Sequence, residues 1–328
     1  MDDIFYTGPF CEHITKFISF KRSLGYSYHE EADRLKRFDQ MTEKCYPKAA
    51  YITKDIADAW CERRDNESVS NQNGRIATIK QFTKYVAGID NRTHVIQWKP
   101  AIVPKYKPYI FCHDEIKRFF ASTDSMQFNG RQPLSHITYP VLFRVLYCCG
   151  MRISEVCALR IRDFEDGCFT VEHGKFGKGR LVPLHPMLSV SISEYIKRVH
   201  PFAEGEENLF IDGFEGKQLY STKVYEVFRE LLLKAGIKHG GKGKGPRVHD
   251  FRFTVIVHRL EQWIHENADI NAWLPVLQFY VGHSDMDSLG YYLQITMEVH
   301  PNLREKIKEA FGDIIPLNYS KGESYEDD

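Results

Sequence analysis

Thirteen residues in the first third of the chain divide it in two. Trp98 to Ile110 hold three prolines (Pro100, Pro104, Pro108) and three lysines (Lys99, Lys105, Lys107). Each proline removes a backbone donor and pushes the residue before it towards extended conformations. The segment therefore reads as an extended linker, with helical patterns on both sides. Before it, Ile14, Phe17, Ile18, Phe20, Leu24, Ala32, Leu35 and Phe38 recur near helical spacing and predict helix over residues 10–42. Asp55 to Trp60 reads as a second helix with Thr53 as N-cap, and Ile76, Ile79, Phe82, Tyr85 and Val86 form a third stripe. After it, His113-Asp114-Glu115-Ile116 opens a helix, and Tyr139 to Cys149 reads as a buried one ended by Gly150. Residues 223–234, 249–264 and 270–281 are also helical in pattern. Phe169-Thr170-Val171 and Arg180-Leu181-Val182-Pro183-Leu184 alternate as a hairpin around the glycine-punctuated turn Gly174 to Gly179. The expected domains are a helical one over 1–98, a linker over 99–109, and a mainly α domain with a small β-hairpin or sheet over 110–316. An acidic tail, 317–328, is expected to be disordered.

At 328 residues the chain is long enough for two real cores. No apolar run approaches the roughly 18 residues that span a bilayer. The acidic start Met1-Asp2-Asp3 lacks the basic opening of a secretory signal. A soluble cytoplasmic protein without membrane contact is expected. Eight scattered cysteines include no C-x-x-C pair, which argues against a zinc site or a disulfide framework. No metal and no cofactor are expected. Gly236 to Lys242 fits G-x-x-x-x-G-K, but Gly243 follows where a magnesium-binding Ser or Thr belongs. That segment is a flexible basic loop, not a nucleotide site. Net charge is zero, yet unevenly spread: +4 over residues 1–108 and −4 beyond. Lys238, Lys242, Lys244 and Arg247 form a basic cluster in the negative half, and local clusters matter more than the sum.

Five pieces carry the chemistry. Arg152-Ile153-Ser154-Glu155 follows Gly150 at a turn between helices. Lys175 and Lys178 lie at the hairpin tip, before Arg180-Leu181-Val182-Pro183. His249-Asp250-Phe251-Arg252 comes next, then Gly282-His283-Ser284-Asp285, then Tyr291-Tyr292. Two guanidiniums offer several oriented donors each to phosphate oxygens. A phenol becomes a nucleophile when something accepts its proton, and His249 and a phosphate oxygen both qualify. Both tyrosines and both lysines are open to the reactive roles on residue type alone.

Taken in order, R-I-S-E, G-K-x-x-K-x-R-L-V-P, H-x-x-R and G-H-S-D with a tyrosine nine residues past the histidine resemble the tyrosine recombinases, also called phage integrases. The likeness runs from about Tyr109 to about Thr296 and points to their Xer-like and transposon-encoded branches. Phe251 and Phe253 stand where leucine and histidine are commoner in that family. The resemblance implies a site-specific DNA recombinase or integrase that cleaves and rejoins strands through a 3′-phosphotyrosyl intermediate. It implies a helical DNA-binding domain and a catalytic domain that clamp duplex DNA between them, working as a homotetramer or a synaptic complex of dimers on DNA. It assigns catalysis to Arg152, Lys175, His249, Arg252, His283 and Tyr292, supported by Glu155. Lys105, Lys107, Lys178, Arg180, Lys242, Lys244 and Arg247 are expected on the DNA backbone. The resemblance implies that the apolar face of Ile307, Ala310, Phe311 and Ile314 packs on a neighbouring subunit; the alternative is its own domain. Two rivals use the same residues. A type IB topoisomerase would relax DNA without a defined site, and a catalytically idle DNA-binding regulator would form no covalent bond.

Overall fold

The computed structural model describes residues 5–103, 106–171, 179–213, 215–241, 245–282 and 287–299. The chain forms two compact units that meet at Tyr106/Lys107. The linker expected over 99–109 therefore belongs in part to the first unit. The Asn73 side chain bonds both the N–H and the carbonyl of Ala101, and Lys80 donates to the carbonyl of Trp98.

The first unit holds α1 (Cys11–Ser23), α2 (His29–Cys45), α3 (Lys54–Cys61) and α4 (Val69–Ala87). The single helical stretch expected over 10–42 is interrupted. Gly25 at φ +90° ends the path of α1, and Tyr28 at φ +52° starts α2 on a new axis. The apolar spacing carried across this gap because both helices face one core. Phe38 sits at its centre, against Trp60 at 5.3 Å and Phe82 at 6.1 Å between ring centroids. Thr53 caps α3 as expected, accepting from the Ile56 N–H.

The second unit is mainly helical, with α5 (His113–Asp124), α6 (Ser135–Cys149) and the short α7 (Ile153–Ala158) before a small sheet. That sheet is antiparallel in the order β1 (Phe164–Glu165), β2 (Cys168–Val171) and β3 (Arg180–Pro183). The β2–β3 hairpin is the expected one. β1 is additional, joined through Asp166-Gly167, a dipeptide that readily takes the two positive φ angles of a tight turn. Then follow α8 (Pro186–Val199), α9 (Ser221–Lys234), α10 (Asp250–His265), α11 (Ile270–Val281) and α12 (Asp287–Val299). Among the described residues no helix is long and apolar enough to cross a membrane.

The core of this unit explains one departure noted in the sequence. Phe251 is buried among Phe111, Phe119, Phe143 and Phe228, with ring centroids 5.0–6.4 Å away. An aromatic ring fills that space, so α10 is anchored by Phe251 and presents its next residue, Arg252, to the site. Beyond it, a turn at residues 266–269 joins α10 to α11. Trp263 of α10 stacks on Trp273 of α11 at 5.9 Å.

Candidate active site

Three guanidiniums converge on the C-terminus of α11. Arg180 Nε donates to the Tyr280 carbonyl at 3.1 Å, Arg252 Nη1 to that of Val281 at 2.6 Å, and Arg152 Nη2 to that of Gly282 at 3.3 Å. The last carbonyls of a helix lack intrahelical partners and carry partial negative charge. Arg252 Nη1 also donates to the Gly150 carbonyl at 2.6 Å, which joins the ends of α6 and α11 through one side chain.

Both ends need glycine. Gly150 has φ +58° and Gly282 φ +78°, the left-handed cap conformation. At Gly282 a Cβ would lie 2.7 Å from Arg180 Nη1 and 2.8 Å from its Cζ. That guanidinium is pinned on Glu155 and cannot yield cheaply. Gly282→Ala is therefore expected to lose about 1–3 kcal/mol of stability, measured by urea unfolding. An unchanged midpoint would show that the turn accommodates a side chain.

Arg152 occupies the N-cap of α7 with extended backbone, and Glu155 sits at the third helical position. One Glu155 oxygen accepts from the Arg152 N–H at 2.9 Å and the other from its Nη1 at 3.1 Å. Glu155 thus bonds both the backbone and the side chain of Arg152. Arg180 approaches the same carboxylate from β3, with Nη1 and Nη2 on the two oxygens at 3.0 and 2.8 Å. Burial acts to raise the Glu155 pKa. Hydrogen bonding and charge from Arg180, then from Arg152, outweigh it and hold the carboxyl below its ordinary range. Two guanidiniums thus share one negative charge.

Arg252 is buried with 1% of its surface exposed, whereas the Arg152 side chain keeps 15%. Burial is the main influence on Arg252 and lowers its pKa; the nearby Tyr292 opposes this. A guanidinium remains charged at neutral pH all the same. Tyr292 of α12 is 2% exposed and its ring lies 5.2 Å from that of Phe253. Phe253, the second departure from the commoner pattern, is therefore the wall on which Tyr292 rests. Tyr291 is half-buried, with its ring edge-on to Phe253 at 6.3 Å. Burial, then Glu298 and Asp250, raise its phenol pKa. His249 precedes α10 and packs its imidazole edge-on to Phe253 at 5.3 Å.

The structure brings Arg152, Glu155, Arg252 and Tyr292 together, with His249 one ring away across Phe253. Lys175, Lys178, His283, Lys105, Lys242 and Lys244 lie outside the described residues, as does the apolar face at 307–314. One expected DNA contact is placed differently. Arg180 is turned inwards onto Glu155, with 4% of its side chain exposed, because it shares the inner face of β3 with Val182. Lys107 pairs with Glu298 at 3.1 Å on the surface. Such an exposed pair is weak and does not stop the lysine from exchanging partners. Arg247 and Lys238 are exposed.

The phage integrase family pattern matches residues 110–298. The chain belongs to that family. Over 316 residues it is 26% identical to y4rB of Sinorhizobium fredii, named as an integrase/recombinase, covering 93% of this chain and 99% of that protein. It is also 26% identical over 251 residues to the tyrosine recombinase XerA of Pyrococcus horikoshii, covering 76% of each. In fold it is similar to the integrase of transposon Tn1549, solved in complex with transposon right-end DNA. The TM-score is 0.60 at 16% identity, with 91% of this chain and 98% of that one covered.

Proposed function

We propose that the protein is a site-specific DNA recombinase that breaks and rejoins strands through a tyrosine. One observation carries this reading: Arg152 and Arg180 share the single charge of Glu155 beside a third guanidinium and Tyr292. Two guanidiniums on one carboxylate make a largely buried setting that favours an anion. A phosphodiester supplies one, and the transition state places still more charge on its non-bridging oxygens. Preorganised donors at such a point contribute roughly 3–4 kcal/mol each.

In this mechanism Arg152 and Arg252 bind the non-bridging oxygens. The Tyr292 oxygen attacks phosphorus as the bond to the 5′-oxygen breaks. The phenol proton passes to His249 or to a phosphate oxygen, and Lys175 protonates the departing 5′-oxygen. His283 donates to a non-bridging oxygen. The product is a 3′-phosphotyrosyl bond and a 5′-hydroxyl, and attack by another strand's 5′-hydroxyl reverses the step. Tyr292 is buried, so attack requires its hydroxyl to become accessible to the phosphate. The substrate is double-stranded DNA, approached by the first helical unit and by Lys107, Lys178, Lys242, Lys244 and Arg247. Exchange between two duplexes breaks four strands, and one tyrosine serves one strand, so a homotetramer on two sites completes the reaction. The protein acts in the cytoplasm.

The test is covalent capture. Incubated with nicked duplexes from a random-sequence pool, the protein is expected to form denaturation-resistant adducts in excess EDTA and without ATP. Side chains supply the charge, and the phosphotyrosyl bond conserves the energy of the broken one. An absolute magnesium requirement for cleavage would sink this mechanism, and absence of any adduct would leave the idle-regulator reading. Strand exchange between two copies of the captured site separates a recombinase from a topoisomerase.

A further inference from the structure

We infer that Arg180 is a positioning residue for strand cleavage, aiming Arg152 through Glu155 and holding the end of α11 through the Tyr280 carbonyl. The inference rests on the recombinase reading above and concerns a residue that sequence alone had placed on the DNA backbone. Three observations support it.

The register comes first. Arg180 pairs with Val171 at the start of β3, and the strand alternates buried, exposed, buried, exposed. Its side chain therefore enters the core side of the sheet, away from solvent. The second observation is how Glu155 is filled. Its Oε1 accepts from Arg152 and Arg180 at 3.1 and 3.0 Å, and its Oε2 from the Arg152 N–H and from Arg180 at 2.9 and 2.8 Å. Without Arg180 the whole carboxylate charge would fall to Arg152. Arg152 would then be better neutralised, less firmly aimed, and a poorer ligand for phosphate. The third is the contact with Gly282, where any Cβ would meet the Arg180 guanidinium. Residue 282 carries the carbonyl that receives Arg152. One side chain thus ties the base of the hairpin to both the carboxylate and the turn that frame the phosphate.

Lysine cannot replace this fork. A single ammonium is a point charge and cannot hold both carboxylate oxygens and a carbonyl in one plane. A misplacement of about 1 Å is enough to cost about 100-fold in rate.

The experiment uses the full-length protein and a nicked duplex carrying a site captured by the wild-type protein. Two versions of the duplex are compared, one with the normal scissile phosphodiester and one with a neutral methylphosphonate there. Arg180→Met is expected to cut the maximal cleavage rate about 100-fold on the phosphodiester, with DNA affinity within about 2-fold of wild type. On the methylphosphonate the charge that Arg152 serves is smaller, and the defect is expected to shrink to about 10-fold or less. Arg180→Lys keeps charge and stem, so it folds even if the methionine variant does not. Its rate is expected to fall on the phosphodiester by an amount comparable to Arg180→Met. Lost affinity with an unchanged maximal rate would overturn the proposal, since Arg180 would then touch DNA. Equal defects on both substrates with a lowered thermal midpoint would overturn it too, leaving a purely structural arginine. Absence of adduct from the wild-type protein would instead defeat the recombinase reading itself.

Discussion

Tyr292→Phe is expected to bind its DNA site with wild-type affinity and to form no covalent adduct. Losing one oxygen removes the nucleophile while the ring keeps its place against Phe253, 5.2 Å away. Stability should change by only about 1 kcal/mol, the typical worth of one hydrogen bond. Tyr291→Phe is expected to keep cleavage. Its phenol is pushed above the ordinary range by burial and by two carboxylates, so less phenolate is available to it at any working pH. Neighbouring helical residues also point about 100° apart, so the two tyrosines cannot both face Arg252. A denaturing gel after incubation with a nicked substrate decides the matter. Adducts that survive in Tyr292→Phe and vanish in Tyr291→Phe would reverse the assignment. Loss in both would mean that α12 itself had been disturbed.

Lys175→Ala is expected to slow cleavage of ordinary DNA by about 100- to 10,000-fold, the usual range for a missing general acid. Lys178→Ala should cost far less. The decisive comparison replaces the bridging 5′-oxygen by sulfur. A thiolate leaves without protonation, so the sulfur substrate should restore Lys175→Ala to near the wild-type rate. Failure of that rescue would remove Lys175 from the acid role and return the choice to Lys178. The same substrate should not help Tyr292→Phe, which lacks the attacking atom.

Local features of this chain were legible because they are encoded locally. Thr53 caps α3, Gly150 ends α6, and the β2–β3 hairpin forms where alternation placed it. Each depends on a few adjacent residues. The break at Gly25–Tyr28 escaped because two helices facing one core continue a single apolar rhythm. β1 escaped because a two-residue strand has no periodicity, although Asp166-Gly167 was a turn signal in plain view. Arg180 was partly legible as well. Val182 is an evident core residue, and period-two alternation sends Arg180 to the same face. An arginine there requires a carboxylate, and nothing local names it.

The candidate site divides along the same line. The ordered motifs by themselves determined the family, the two guanidiniums proposed for phosphate, the proposed nucleophile, and the Glu155 carboxylate three residues from Arg152. These depend on residue type and spacing along one chain. Only the tertiary structure decided that Arg180 leaves the surface for Glu155, 25 residues away in sequence, and that Arg252 reaches the carbonyl of Gly150, 102 residues away. It alone decided that Tyr292 is buried on Phe253. A charge chooses its partner by distance and burial in space, and in this chain those are set where α6, α7, β3, α10 and α11 meet.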